Sequence, residues 1–250
     1  MKKLIFLCFF LPVFSQAQKL IGGKNILKVS ATSLLFRNYN FMYERHIFSK
    51  LSFAISYSNL PSGKLPFVSS YKDQIDISGV NLDNVTIGGS SITPEIRLYT
   101  GLGKMKGFYV APYLRFSNYN LTIPVSYTYT PPLPAPPNPV TATATFQGSL
   151  KSTNYGLMLG LQKQIATKIV LDFWILGGHF GNVNGSLTTN NISPALIPEA
   201  RTALQARLDG LKDVPFLEMQ GTINSPTSAT VSVGKWAGIR SLGLSLGLRF

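Results

Sequence analysis

Between Leu51 and Ser58 the chain reads "LSFAISYS": each odd position is large and apolar or aromatic, each even position small. The same two-residue period returns in "GIRSLGLSLGLRF" (238–250). There Leu242, Leu244, Leu246, Leu248 and Phe250 fall on one parity, and Ser241, Gly243, Ser245, Gly247 and Arg249 on the other. A β-strand sends alternate side chains to opposite faces, so both stretches are strands with one greasy face. The other face decides the fold. A soluble sandwich turns its greasy face to a second sheet and exposes Lys and Glu. A membrane barrel turns its greasy face to lipid and fills its interior with small and polar groups. Here the second face is Ser, Gly, Asn, Gln and Tyr, which suits a packed interior better than a solvated surface.

Eight segments carry this period: 26–36, 38–48, 51–60, 91–100, 108–119, 154–165, 168–180 and the stretch from 238. Each approaches the ~9–11 residues a tilted strand needs to cross a bilayer. Pro94 is expected near a strand start and Pro112 at a bulge, because proline donates nothing to a ladder. Short connections at Ser49-Lys50, "GLGKMKG" and "ATK" alternate with long segments at 61–90, 120–153 and 181–237; only the hairpin at Arg37 departs from the alternation. The expected fold is an all-β, eight-stranded antiparallel up-and-down transmembrane β-barrel with long extracellular loops and one short loop helix. Residues 18–250 would form that single domain.

Charge follows the same parity. Of ten acidic residues, Glu44, Glu95 and Asp172 lie in strands, on the non-greasy face, together with Lys28, Arg97, Arg115 and Arg249. A lipid-facing Arg or Lys would cost ~2–4 kcal/mol at the midplane. An unpaired interior charge is also costly, so these seven are expected to form a charge network inside the barrel. Arg45 and Arg240 fall on the outward parity, near strand ends.

Residues 1–17 read as a signal peptide: Lys2 and Lys3, an apolar run from Leu4 to Phe14, then small residues at Ser15 and Ala17. The only cysteine, Cys8, lies in that run, so the processed chain is expected to lack disulfides and thiolate metal ligands. The net charge of +13 comes without any basic run. Lys50, Lys104, Lys106, Lys163 and Lys168 sit in short connections, which suits lipid phosphate and not nucleic acid.

The leader, the eight strands and the terminal Phe250 resemble small outer-membrane β-barrels of Gram-negative bacteria, in the OmpA/OmpX-like size class. "SITPEIRLYTGLGKMKGFYVAPYLRFSNY" and "YGLMLGLQKQIATKIVLDFWILGGHFG" look like a subgroup known only as outer-membrane barrels of unknown function. The resemblance covers strand regions, about half the processed chain. It implies outer-membrane localisation, with Leu244, Leu246, Leu248 and Phe250 as the signal read by the barrel-assembly machinery. It supplies no catalytic residues.

His46 and His179 are expected at opposite ends of the barrel, which argues against a shared metal site. No cofactor is expected. Tyr43, Tyr57, Tyr155 and Trp236 read as interface-girdle aromatics. "YTYTPPLPAPPNPV" (127–140) reads as a stiff proline-rich loop. Within 193–212 the spacing of Ile197, Ala200, Leu204, Leu208 and Leu211 predicts a helix with one apolar face, which would cap the barrel mouth, lie on the outer leaflet or dock a partner. The favoured function is non-enzymatic: a barrel closed to solutes, bathed in outer-membrane lipid, offering loops 120–153 and 181–237 to an extracellular partner. A narrow pore or a lipid A-modifying barrel enzyme is the alternative.

Overall fold

The computed structural model describes residues 23–70, 79–101, 103–132, 138–213 and 216–250; the leader at 1–17 lies outside them. The strands are β1 (Asn25–Ser30), β2 (Tyr39–Phe48), β3 (Leu51–Lys64), β4 (Thr86–Tyr99), β5 (Gly107–Tyr129), β6 (Val140–Gln164), β7 (Ile169–Thr189), β8 (Leu217–Ser225) and β9 (Ser228–Arg249). All pairings are antiparallel. β1 to β7 pair in sequence, β7 pairs with β9, and β9 returns to β1 from Ile26↔Arg249 to Ser30↔Ser245. The result is the expected ring of eight strands. β8 stands outside the ring and pairs with β9 alone.

Several boundaries differ from expectation, each for a local reason. β1 stops at Ser30, whose hydroxyl accepts the Ser33 N–H at 3.2 Å and caps a short helix, α1 (Ala31–Leu35). The supposed loops 120–153 and 181–237 are largely strand. β5 and β6 stay paired up to Tyr129↔Val140, so the proline-rich stretch begins on a strand; its residues 133–137 lie outside the described ones. Pro94 is in mid-strand, and Pro112 lies at no bulge. Both face the β4–β5 seam, where the partners run Ile92↔Phe116, Glu95↔Tyr113 and Leu98↔Val110 at constant register. The pairs opposite each proline are missing there, while β3–β4 and β5–β6 run through.

The outward faces change character at nearly one level. On β5 they read Phe108, Val110, Leu114, Phe116, then Asn118, Asn120, Thr122. On β6 they read Leu161, Leu159, Leu157, Tyr155, then Thr153, Lys151, Ser149. On β7 Phe180 gives way to Asn182 and Asn184. These switches nearly coincide: on β6 and β7 they are in register, because Tyr155 pairs with Phe180 and Thr153 with Asn182, and on β5 the change comes one outward pair higher, because Phe116 pairs with Thr153. Below that line large apolar side chains stand bare: Ile96 is 49% and Leu157 51% exposed.

Above the line the inner faces change as well. Leu121, Ile123, Val125 and Tyr127 of β5, Ala144 and Phe146 of β6, and Leu187 of β7 form an apolar core. Into it packs α2 (Pro198–Gly210) through Ala200, Leu204 and Leu208, with Leu211 of the following 3-10 turn. The predicted helix therefore caps the upper sheet, with Leu204 and Leu208 fully buried. Burial in this core raises the Tyr127 hydroxyl above the ordinary tyrosine range.

Candidate functional site: a charge cluster inside the ring

All eight ring strands send a side chain to one buried cluster. Lys28 (β1) donates to Glu44 Oε2 at 2.5 Å, to Asp172 Oδ2 at 2.6 Å and to Gln162 Oε1. Arg97 (β4) donates through Nη1 to Asp172 Oδ2 at 2.7 Å and Glu44 Oε2 at 3.3 Å, and through Nη2 to Glu95 Oε2 at 2.8 Å. The second oxygens of Glu44 and Asp172 are also satisfied. Ser52 (β3) and Tyr99 (β4) donate to Glu44 Oε1 at 2.5 and 2.6 Å, and Tyr109 (β5) donates to Asp172 Oδ1 at 2.8 Å. Gln162 (β6) turns its amide to the Met105 carbonyl at 3.0 Å. Such saturation is what makes buried charge tolerable: attraction offsets desolvation only when each oxygen and proton has a partner.

The glycines on the inner parity make this packing possible. A Cβ on Gly160 would meet the Tyr109 ring at 2.2 Å, and one on Gly156 the Tyr113 ring at 2.2 Å. Gly243 faces Trp174 in the same way, at 2.4 Å. The alternation of Gly with Leu in "YGLMLGLQ" and "GLSLGLRF" is thus a packing code: glycine inside where a neighbouring strand sends a large side chain (an aromatic ring at Gly156, Gly160 and Gly243, Ile26 and Lys28 at Gly247), leucine outside.

Five of the seven predicted network residues meet here: Lys28, Glu44, Glu95, Arg97 and Asp172. Arg115 and Arg249 do not. Arg249 sits at the short-turn end, donating to the Gly23 carbonyl at 2.7 Å and Gln164 Oε1 at 3.0 Å. Arg115 lies higher in the interior, with Nη2 3.2 Å from Ser91 Oγ and 3.4 Å from the Tyr119 hydroxyl. Parity places a residue on the correct face but says nothing of its height along the barrel, and height separates these two from the rest.

Arg240 takes the place parity denied it. Its guanidinium points inward, 3.7 Å from Glu95 Oε1 and stacked 4.6 Å above the Trp174 ring. The cause is a paired irregularity. Ile175 and Leu242 drop out of the β7–β9 ladder between Trp174↔Gly243 and Leu176↔Ser241, and Leu242 takes φ 47°. One extra residue reverses the parity of all that follows. Trp236 is carried inward by the same reversal, away from any outer girdle, and donates to Asn154 Oδ1 at 2.5 Å. Tyr57 and Tyr155 remain on the outer face, and Tyr43 is half-buried. Tyr99, Tyr109 and Gln162 were readable as inward residues; their role as partners depends on which strands lie across the ring.

His46 sits by the β2–β3 turn, Nε2 2.9 Å from the Ser49 carbonyl, and His179 lies inside the ring, Nδ1 3.2 Å from the Tyr113 hydroxyl. Among the described residues no group of three or more His, Cys, Asp or Glu could hold a metal ion. Leu246 and Leu248 are exposed on the outer face, Leu244 is half-buried, and Phe250 exchanges two backbone hydrogen bonds with Asn25. No helix among the described residues is long and apolar enough to cross a membrane, which leaves strand crossing open. Compared with known proteins, the chain matches no family model, no curated protein and no solved structure.

Proposed function

We propose that the protein is an outer-membrane β-barrel, closed to solutes, that carries an ordered head on the extracellular side. The observation behind this reading is the change of outward side chains from Leu, Phe and Tyr to Asn, Thr and Lys at nearly one level, within one outward pair, across β5, β6 and β7. A soluble protein rarely exposes an apolar belt of that extent, whereas a bilayer needs one. The short turns with their lysines then face the periplasm, and the extended strands with α2 face outward. The buried cluster occupies the interior of the lower ring, with Arg97, Lys28, Tyr99 and Tyr109 all fully buried, which favours a closed barrel over a pore.

Outer-membrane lipid is the proposed partner of the belt. The assembly machinery is the proposed reader of Leu244, Leu246, Leu248 and Phe250, and residues 120–153 and 181–237 form the surface offered to an extracellular partner. Fractionation tests the localisation: the processed chain is expected in the outer membrane, with spin labels at Leu159 and Leu244 reporting hydrocarbon. Recovery from the soluble periplasm, or water contact at those labels, sinks it. In planar bilayers no discrete conductance is expected; reproducible channels would favour the pore.

A further inference from the structure

Above the charge cluster the interior holds a cavity of about 350 Å³, at the lower end of the ~300–1,000 Å³ range of small-molecule sites. Its walls are Leu121, Ile123, Leu150, Val183, Leu187 and Val233; its floor is Arg115, Tyr119, Trp236 and Ser91. It adjoins a second, wholly apolar cavity of about 220 Å³, with which it shares Leu121, Ile123 and Leu187. A slender apolar space therefore runs upward from one guanidinium.

That guanidinium has no carboxylate beside it among the described residues. Glu44, Glu95 and Asp172 are matched by Lys28, Arg97 and Arg240. Arg115 makes no ion pair among the described residues, and its Nε is buried without a hydrogen-bond partner. Arg115 is half-buried with its Nε sealed from solvent, so a partly desolvated cation lacks a counter-charge there and an anion beside it would be stabilised. A third cavity, of about 380 Å³, shares Asn38, Ser58, Ser91 and Arg115 with the first and is bordered by Phe36, Ile239 and Leu242. These three are exposed, at the place where α1 and not a strand stands beside β9; Thr32 of α1 accepts the Leu244 N–H at 3.1 Å. On that side β9 has no strand partner between Ser245 and Trp236 among the described residues.

We propose that this space binds a single-chain amphiphile with an anionic head, namely a long-chain fatty acid. The carboxylate pairs with Arg115, supported by Ser91 and Tyr119, and the acyl chain lies along Leu121, Ile123 and Leu187. The gap beside α1 gives it a lateral route between the binding space and the surrounding lipid. Charge-assisted pairing makes the head the specificity element, and the apolar walls accept chains of differing length. The binding site itself rests on the interior cavity and not on the membrane assignment.

Trp236 is a built-in reporter, because the chain has two tryptophans and Trp174→Phe leaves it alone. The protein is placed in nanodiscs of zwitterionic lipid, insertion being scored separately by gel filtration, and titrated with a brominated fatty acid or the matching brominated alcohol. Saturable quenching by the acid is expected, with the alcohol about tenfold weaker. Arg115→Gln should abolish that preference, Arg115→Lys should retain most of it, and Val233→Phe should weaken both ligands. Equal quenching by acid and alcohol, no saturable quenching, or an unchanged preference in Arg115→Gln overturns the proposal. The acid-to-alcohol comparison needs no Arg115 variant, so a misfolded mutant does not blunt it.

Discussion

One strand, β6, lives in two environments. From Thr153 to Gln164 its outward residues are Tyr155, Leu157, Leu159 and Leu161, and its inward ones Asn154, Gly156, Met158, Gly160 and Gln162. From Val140 to Ser152 the pattern turns inside out: Thr141, Thr143, Thr145 and Gln147 face outward, while Ala144, Phe146 and Leu150 face the core. The register with β5 does not slip between the two halves, so the same parity carries an apolar outer face below and an apolar inner face above. The upper half is stabilised by apolar burial around α2. In the proposed setting the lower half gains nothing from burying Leu against lipid-facing Leu, and its interior is organised by charge pairing instead.

The comparison predicts that each half fails by its own mechanism. The largest effect is expected from Arg97→Ala, which strips partners from Glu44, Glu95 and Asp172 at once and should cost ~3–5 kcal/mol. Denaturant unfolding of the inserted protein measures it; a loss below about 1 kcal/mol would mean the cluster is better solvated than its burial implies. Leu204→Ala should cost ~2–5 kcal/mol, but locally. Hydrogen exchange is expected to rise in α2 and in the upper parts of β5 and β8, with the lower ring unchanged. Equal loss of protection in both halves would erase the distinction. Leu159→Arg, on the outer face below the line, should cost ~2–4 kcal/mol in a bilayer. The matched change above the line, Thr143→Arg, should stay within ~0.5 kcal/mol. Similar penalties for these two would place the lipid boundary elsewhere or remove it.

Much of the lower ring was readable because its outer face and its interior carry opposite side chains at every second residue. Glu44, Glu95, Arg97, Asp172 and Lys28 could be put on one face from parity alone. Arg240 and Trp236 could not, since the paired irregularity at Ile175 and Leu242 inverts parity and nothing in "GIRSLGL" marks its position. The upper half was hidden by its own consistency. Leu121, Ile123, Val125 and Tyr127 alternate as cleanly as any lower strand, yet they lie beyond the length a bilayer requires, so they read as loop. α2 was visible as a helix from the spacing of Ala200, Leu204 and Leu208, but its docking surface was not.

By itself, the chain of residues determined that there would be eight strands in a ring, which face of each would be greasy, and that three carboxylates would be held away from that face. These follow from local chemistry, a two-residue period and the cost of misplaced charge. Tertiary structure alone decided which charges meet, which cation is left over, and how far the strands run past the apolar belt. Those outcomes depend on register, on height along the ring and on residues more than a hundred positions apart, such as Lys28 and Asp172, and no local pattern encodes them.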